Sequence, residues 1–334
     1  GKKMSKSLGN VIAPKQVIDK YGAEILRLWV SASDYRDDVR ISENILKQLS
    51  DAYRRIRNTC RFLLGNLSDF DPAAHAVPYK QMLAIDRYAL HTLQDLIARA
   101  RKAYDAFDFH VIYHGLHNYC TVDLSAFYLD ILKDRLYTSP PDSPARRSAQ
   151  TVLHRVADAL ARLMAPIMVF TAEEIWRYLP AGAGKEASIH LSAMPEVEEG
   201  LRDAALAEQW QAIKLVRGEV TKALEEARVQ KHIGHSLEAV VTLGLSDALH
   251  AQLAPYADEL RSIFIVSEVH LGKGGLDGAF GGTETAGIAI RVAPAASQKC
   301  ERCWVHDATV GRRATHAVIC DRCYGALKQM GQAE

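Results

Sequence analysis

Two closely spaced pairs of cysteines place the strongest constraint on how this chain can fold. Two residues separate Cys300 from Cys303 and Cys320 from Cys323, and sixteen residues lie between the pairs. Each pair can bend around one tetrahedral ion, and the intervening segment can form a hairpin that brings the pairs together. Because four thiolates leave no open coordination position, the spacing predicts one structural zinc ion. A redox pair is the alternative, but two pairs without a thioredoxin-like βαβ unit argue against it.

Apolar residues at helical spacing predict that most of the remaining chain is α-helical. Ser42 suits the N-cap of a long helix, and residues 79–137 carry the pattern of two more long helices. A further helix pair is expected over residues 143–179, broken at a proline. Residues 45–195 are therefore predicted to form a helical bundle.

The composition changes after a long helix expected at about 199–230. We expect residues 187–194 to add a strand to the bundle and residues 196–293 to form a small α/β module. Three segments in that module are β-like, with β-branched residues or alternating polarity, and are predicted as strands: 237–243, 263–271 and 286–292.

Length and charge exclude several classes of protein. The chain has 334 residues and a formal net charge of +1, so any nucleic-acid site must be a local basic patch. No apolar run approaches the length of a membrane span, and no signal peptide opens the sequence. We therefore expect a cytoplasmic protein, most simply a monomer, that does not bind membranes. Because the sequence begins inside a motif, we also expect it to be part of a longer protein.

A short basic loop lies close to the start of the sequence. Lys3 and Lys6 alternate with small hydroxyl residues, Ser5 and Ser7, before any helix begins. Ammonium and hydroxyl groups on a mobile loop suit a polyphosphate, although solvated lysines are the simpler interpretation of five residues taken alone. The longer string Lys3–Pro14 resembles the second signature of the class I aminoacyl-tRNA synthetases.

This resemblance implies a specific chemistry for the loop. In the family, the loop closes over ATP, with magnesium, while the amino acid carboxylate attacks the α-phosphate. Lys6 would then contact the ATP phosphates in the transition state, and Lys3 would neutralise the departing pyrophosphate. Ser5 and Ser7 would shape the loop and bind ATP through hydrogen bonds.

The helical region resembles the anticodon-binding bundle that the isoleucyl, valyl, leucyl and methionyl enzymes share. The similarity is strongest at residues 125–137 and 160–178. Arg54, Arg57 and Arg61 share one face of the first long helix and are candidates for tRNA binding. The alternative is that they form the solvated face of an amphipathic helix.

The cysteine pairs and Trp304 resemble the C-terminal zinc domain of the bacterial isoleucyl enzymes. Basic residues and one aromatic surround the predicted site and suit phosphates and an unstacked base. Packing of the Trp304 ring against the zinc knuckle is an equally good interpretation of this residue. The candidate tRNA-binding residues here are Arg302, Trp304, Arg312 and Arg313.

The sequence as a whole predicts a mainly α protein with a helical anticodon-binding bundle, a small α/β module and a C-terminal zinc ribbon. The resemblance implies the tRNA-binding part of an enzyme that joins isoleucine to tRNA(Ile) with ATP and edits valine in an upstream domain. The isolated chain is predicted to be inactive. Two alternatives remain, namely the equivalent part of a valyl enzyme and a stand-alone zinc-containing RNA-binding module. The expected parts are residues 1–44 (end of the catalytic domain), 45–195 (bundle), 196–293 (α/β junction) and 294–334 (zinc domain).

Overall fold

A computed structural model describes residues 3–182, 184–276 and 278–333. The chain divides into two compact units, the first containing residues up to 130 with 147–202 and the second containing 131–146 with the residues from 203 onward. Of the helices in the described ranges, none is both long and apolar enough to cross a membrane.

The first unit is helical, as predicted. Ser42 caps the first long helix, because its Oγ accepts a hydrogen bond from the Ile45 N–H at 3.2 Å. A π-helical segment at Tyr119–Tyr128, which the sequence pattern did not indicate, lies between two α-helices in the chain. The helices before the π-helical segment are α1 (Pro14–Tyr21), α2 (Ala23–Ala32), α3 (Glu43–Gly65), α4 (Pro72–His75), α5 (Ala84–Asp105) and α6 (Phe109–Asn118). After the π-helical segment come α7 (Leu129–Thr138), most of which belongs to the second unit, and then α8 (Pro144–Met164) and α9 (Val169–Tyr178).

The strand predicted at residues 187–194 is wrong. The segment instead forms a 3₁₀ turn at Ile189–Leu191, with Ser188 capping it. Its polar groups bind Glu173 on α9, whose carboxylate accepts from Ser188 Oγ at 2.8 Å and from the Ile189 N–H at 3.0 Å. The described residues of this unit contain no strand edge with which the segment could pair.

Helix α2 is tied to the start of α9 by a buried carboxylate. Glu24 accepts hydrogen bonds from the Phe170 N–H at 2.8 Å and the Thr171 N–H at 2.9 Å, and also from the Thr171 hydroxyl. These N–H groups belong to the first turn of α9, where no intrahelical acceptor is available. Nearby, Arg27 Nε donates to the Ile167 carbonyl at 2.8 Å. The segment that follows the lysine loop is therefore fixed to the helical bundle.

The second unit contains a four-stranded sheet, and its three predicted strands are confirmed with shifted ends. In order across the sheet, the strands are β2 (Glu268–Lys273), β1 (Ala239–Leu245), β4 (Ile288–Pro294) and β3 (Phe280–Gly281), with β1 parallel to β2 and antiparallel to β4. Residues 263 and 264, predicted as strand, instead end a helix, and the strand begins at Glu268. The α-helices from residue 203 onward are α10 (Ala204–Val229), α11 (Asp247–Leu253), α12 (Ala257–Phe264) and α13 (Asp321–Gln329).

A buried glutamate on α10 holds the turn that leads into β4. Glu219 is 1% exposed and accepts from the N–H groups of Thr283 (3.0 Å), Glu284 (2.7 Å) and Thr285 (3.2 Å). Burial acts to raise the pKa of Glu219, but these hydrogen bonds and the Lys222 ammonium at 3.7 Å lower it below its usual value. The carboxylate therefore stabilises the folded chain in its ionised form.

Replacing Glu219 by glutamine is expected to lower the free energy of unfolding by about 2 kcal/mol at neutral pH, since an amide cannot accept all three N–H groups. A carboxyl whose folded pKa is depressed stabilises the protein above its unfolded pKa, near 4.5, and loses that effect as the pH falls through the folded value. Urea unfolding at a series of decreasing pH values should therefore show that the difference in free energy of unfolding between the two proteins becomes smaller below about pH 4.5. Glu225→Gln, on the exposed face of the same helix, is the control. A difference that stays constant with pH would contradict this role.

Candidate functional site

The four predicted zinc ligands come together in one buried cluster in the second unit. The Sγ atoms of Cys300, Cys303, Cys320 and Cys323 all lie within 4.8 Å of one another, and the separation from Cys303 to Cys320 is 3.8 Å. A tetrahedral zinc ion with Zn–S bonds of about 2.3 Å holds its sulfur ligands about 3.8 Å apart. The all-sulfur donor set and its spacing therefore fit a structural zinc ion.

Backbone hydrogen bonds shape the first cysteine pair into a knuckle. The Trp304 N–H donates to the Cys300 carbonyl at 2.8 Å, and the Cys300 N–H donates to the Val305 carbonyl at 2.9 Å. In the second pair, Cys320 is the N-cap of α13 and Cys323 lies in its first turn. The Cys320 N–H points to Cys300 Sγ at 3.3 Å, so the fold also brings the two pairs into hydrogen-bond contact.

The thiols influence one another strongly because they are buried and close together. Hydrogen bonds from Cys320 and Cys323 lower the pKa of Cys303 far below its usual value. The same contacts with Cys303 raise the pKa of Cys320 to about 11 and that of Cys323 further. A divalent ion bound among the four sulfurs would favour the thiolate form of all four cysteines.

Trp304 is exposed and has an unusual backbone conformation. Its side chain is 56% exposed, and its φ of +66° lies in the left-handed region that favours glycine. Lys299 Nζ lies 5.1 Å from the ring centroid. The fold therefore presents an aromatic face and a cation together at the surface of the knuckle.

The basic residues predicted around the zinc site differ in their contacts. Arg302 Nη1 donates to the Thr138 carbonyl at 2.6 Å, and Arg313 Nε donates to Asp321 at 2.7 Å. In the described part of the chain, the Arg312 side chain has no ion pair or side-chain hydrogen bond.

Arg322 lies between the two ligands of the second pair and is one of the basic residues expected around the site, but its partner was not predicted from the sequence. Its guanidinium makes two hydrogen bonds to the Asp134 carboxylate, at 2.6 and 2.8 Å. The two residues are 188 positions apart, and no local pattern joins them.

The three candidate arginines on α3 all lie on its exposed side. Arg54 is 3.3 Å from Asp51, one turn earlier on the same helix, and Arg57 is 3.3 Å from Glu174 on α9. Arg61 has no side-chain partner among the residues that the structure describes. The side chains that fill the opposite, buried face of α3 include Leu49, Ile56, Cys60 and Leu63.

The lysine loop in the first unit has a defined hydrogen-bonded shape. The Ser5 N–H donates to Asn10 Oδ1 at 2.8 Å, and Asn10 Nδ2 donates to the Lys3 carbonyl at 3.3 Å. Ser5 Oγ and Ser7 Oγ lie 2.7 Å apart and share a hydrogen bond. The side chain of Asn10 therefore closes the loop, a role that the sequence pattern did not reveal.

Both lysines of the loop face solvent. Lys6 begins a 3₁₀ turn that ends at Gly9, whose φ of +64° and N–H bond to the Lys6 carbonyl terminate the turn. Within the described ranges, neither Lys3 nor Lys6 has an ion-pair partner. Two ammonium groups are thus available to an anion beside the hydroxyls of Ser5 and Ser7.

Three protein-family models match the chain, each over a different segment. Residues 1–42 match class I tRNA synthetases of the I, L, M and V group. Residues 86–243 match the anticodon-binding domain of tRNA ligases. Residues 297–325, which contain all four cysteines, match a zinc finger found in FPG and IleRS.

Individual relatives agree with these models. The chain is 53% identical over 328 residues to an isoleucine–tRNA ligase of Geobacter sulfurreducens, and 52% identical over 328 residues to that of Syntrophotalea carbinolica. It is 50% identical over 333 residues to that of Moorella thermoacetica. These matches cover 98–99% of this chain but only 35–36% of each relative, in the C-terminal portion. The lysine loop, the helical bundle and the four-cysteine cluster thus occur together in a chain that belongs to the isoleucine–tRNA ligase family and spans about a third of the length of its relatives.

Proposed function

We propose that this chain is the tRNA-binding portion of an enzyme that joins isoleucine to tRNA(Ile) with ATP and magnesium. Editing of valine would take place in a part of that enzyme outside this chain. The observation that carries the proposal is the closed four-sulfur cluster, because it lies within the residues that match the zinc finger model. The match of residues 86–243 to an anticodon-binding domain supports tRNA as the partner.

In this proposal each part of the chain has its own task. The first part ends the catalytic domain, the second binds the anticodon stem and loop, the third is the junction between the bundle and the zinc domain, and the last is stabilised by one structural zinc ion. We propose a cytoplasmic monomer with these four parts: residues 1–44, 45–195, 196–293 and 294–334.

Zinc would neutralise the four thiolates and hold the two cysteine pairs together. The knuckle then keeps Trp304 exposed beside Lys299, where an unpaired base can stack on the ring and a phosphate can approach the ammonium. This arrangement supports Trp304 as an RNA contact, since packing against the knuckle would bury the ring.

The candidate arginines other than Arg302 would contribute mainly through phosphates. Arg61 and Arg312 are the simplest candidates, since their side chains hold no partner in the described part of the chain. Arg54, Arg57 and Arg313 would exchange an exposed carboxylate for a phosphate, which costs little because surface ion pairs are weak.

For the lysine loop we propose the roles that the family resemblance implies. Lys6 would stabilise the charge on the ATP phosphates in the transition state, and Lys3 would neutralise the departing pyrophosphate. Ser5 and Ser7 would bind ATP after giving up their mutual hydrogen bond. The exposure of both ammonium groups and their lack of protein partners within the described ranges support these roles.

Binding of the chain to tRNA transcripts tests the proposal directly. At one fixed salt concentration, we expect tighter binding to the isoleucine transcript than to the valine transcript, and a smaller preference after zinc is removed with a chelator. Salt is held constant because phosphate contacts dominate affinity and are screened by ions. Equal affinity for the two transcripts would contradict the isoleucine assignment. A preference that is independent of zinc would contradict a role for the cysteine cluster in recognition.

A further inference from the structure

Two arginines beside the zinc ligands reach the same turn of a helix. Arg322 binds both carboxylate oxygens of Asp134, and Arg302 donates to the carbonyl of Thr138, four residues further along α7. All of these residues belong to the second unit, which includes the helix hairpin of residues 131–146.

The contacts form one connected network. Thr138 Oγ1 donates to Asp134 Oδ1 at 3.0 Å, so the two acceptors are joined within the last turn of α7. Arg302 lies between the ligands of the first cysteine pair and Arg322 between those of the second. Each cysteine pair therefore has its own link to the hairpin, and the two links meet at one turn.

The geometry of Arg322 suits a fixed link better than a phosphate site. A paired guanidinium and carboxylate with two parallel hydrogen bonds is a strong and directional contact. The side chains of Arg322 and Asp134 are 41% and 32% exposed, so the pair is partly shielded from water. A phosphate would first have to displace the Asp134 carboxylate, in contrast to Arg312, whose side chain holds no partner in the described ranges.

We propose that Arg302 and Arg322 are positioning residues that hold the hairpin of residues 131–146 against the cysteine cluster and affect RNA binding only through the orientation of Trp304. The part concerning RNA rests on the proposed tRNA-binding function, whereas the link itself does not. Because zinc holds the two cysteine pairs together, the order of the hairpin should depend on zinc.

The replacement Asp134→Asn separates this role from direct contact with RNA. If Arg322 bound a phosphate, removing its carboxylate partner would free the guanidinium and strengthen RNA binding. If Arg322 holds the hairpin, the same replacement weakens the link and with it RNA binding. Asparagine has nearly the shape of aspartate, so the fold should tolerate it.

The experiment uses the zinc-loaded chain and its Asp134→Asn, Arg322→Gln and doubly substituted variants. We expect amide hydrogen exchange in residues 131–146 to accelerate by about tenfold in each variant. Exchange in the double variant should be no faster than in either single variant, because both substitutions break the same contact. In zinc-free protein the hairpin of the unsubstituted chain should exchange as fast as that of the variants. Glu301→Gln, an exposed acid beside Cys300, is the control and should leave the exchange unchanged.

Affinity for the isoleucine transcript over a series of salt concentrations completes the test. We expect Asp134→Asn and Arg322→Gln to weaken binding without changing the salt slope. Tighter binding by Asp134→Asn, or a slope lower by about one for Arg322→Gln, would identify a phosphate contact and overturn the proposal. Unchanged exchange in residues 131–146 would also overturn it. Failure of the unsubstituted chain to bind tRNA would overturn the proposed function, and the exchange data would still decide whether the link exists.

Discussion

Replacing Cys323 by serine is expected to abolish zinc binding and unfold the ribbon of residues 297–329. Few apolar side chains are buried around the four sulfurs, chiefly Val305 and Ile319, so the ribbon has almost no core without the metal. In domains this small, zinc contributes on the order of 10 kcal/mol to folding. A serine hydroxyl replaces a soft thiolate poorly, and three ligands do not close the tetrahedron.

Zinc content and amide exchange measure this effect together. The unsubstituted chain should carry one zinc ion, and the Cys323→Ser chain should lose it at a chelator concentration that leaves the former loaded. Exchange protection should disappear in the ribbon but persist in α3 and α5 of the first unit. Retention of both zinc and protection in the Cys323→Ser chain would show that the ribbon does not depend on all four cysteines for zinc binding and stability.

Cys60→Ala provides a matched control for the loss of a buried thiol. Burial raises the pKa of Cys60 to about 12, so this thiol stays protonated and is a poor metal ligand. It lies in the apolar face of α3. The replacement should lower the stability of the first unit slightly, by about 1 kcal/mol, and leave the zinc content at one.

The features that sequence reasoning predicted well are those whose cause is local. The cysteine spacing specifies a metal site because each pair needs only one tight turn, and the four sulfurs do converge. Ser42 specifies a helix start because its cap bond spans three residues. The periodic apolar residues of α3 and α5 identify long helices in the same way, since 3.6-residue periodicity is visible within a single segment.

The features that it missed depend on partners far away in the chain. In the sequence, Glu219 resembles any other charged residue on an amphipathic helix, yet its carboxylate accepts hydrogen bonds from N–H groups in the turn at residues 283–285. The predicted strand at 187–194 failed because Glu173 binds its polar groups instead. The link between Arg322 and Asp134 is likewise a tertiary contact, which neither propensity nor periodicity encodes.

In the candidate site, too, the residue types were predicted from the sequence and the contacts between them were not. The lysines and hydroxyls of the loop were identified from residue type and from the resemblance, whereas Asn10 was not singled out. Its amide closes the loop by binding Ser5 and Lys3 on the opposite side. A contact that closes a loop in this way can be recognised only from the three-dimensional structure of the loop.

Replacing Lys6 by alanine in an enzyme that includes this chain is expected to slow isoleucine activation by about 10²- to 10³-fold, the usual effect of removing one preorganised charge from a transition state. The substitution removes an exposed ammonium that has no ion-pair partner among the described residues, so the fold and its stability should not change. The loop should also keep its shape, because Asn10 binds backbone groups of Ser5 and Lys3 and does not contact Lys6.

Isoleucine-dependent exchange of pyrophosphate into ATP measures this step separately from tRNA binding. We expect kcat to fall sharply in the Lys6→Ala enzyme while KM for isoleucine and affinity for the tRNA transcript stay nearly constant, because Lys6 would act on charge that develops only during transfer. Lys15→Ala is the matched control, since Lys15 is an exposed lysine nine residues further along whose only ion-pair partner among the described residues is Asp19. An equal loss in both variants would indicate a general electrostatic effect of the basic segment. A loss confined to KM for ATP would mean that Lys6 binds the nucleotide equally in its ground and transition states, which would contradict the proposed role.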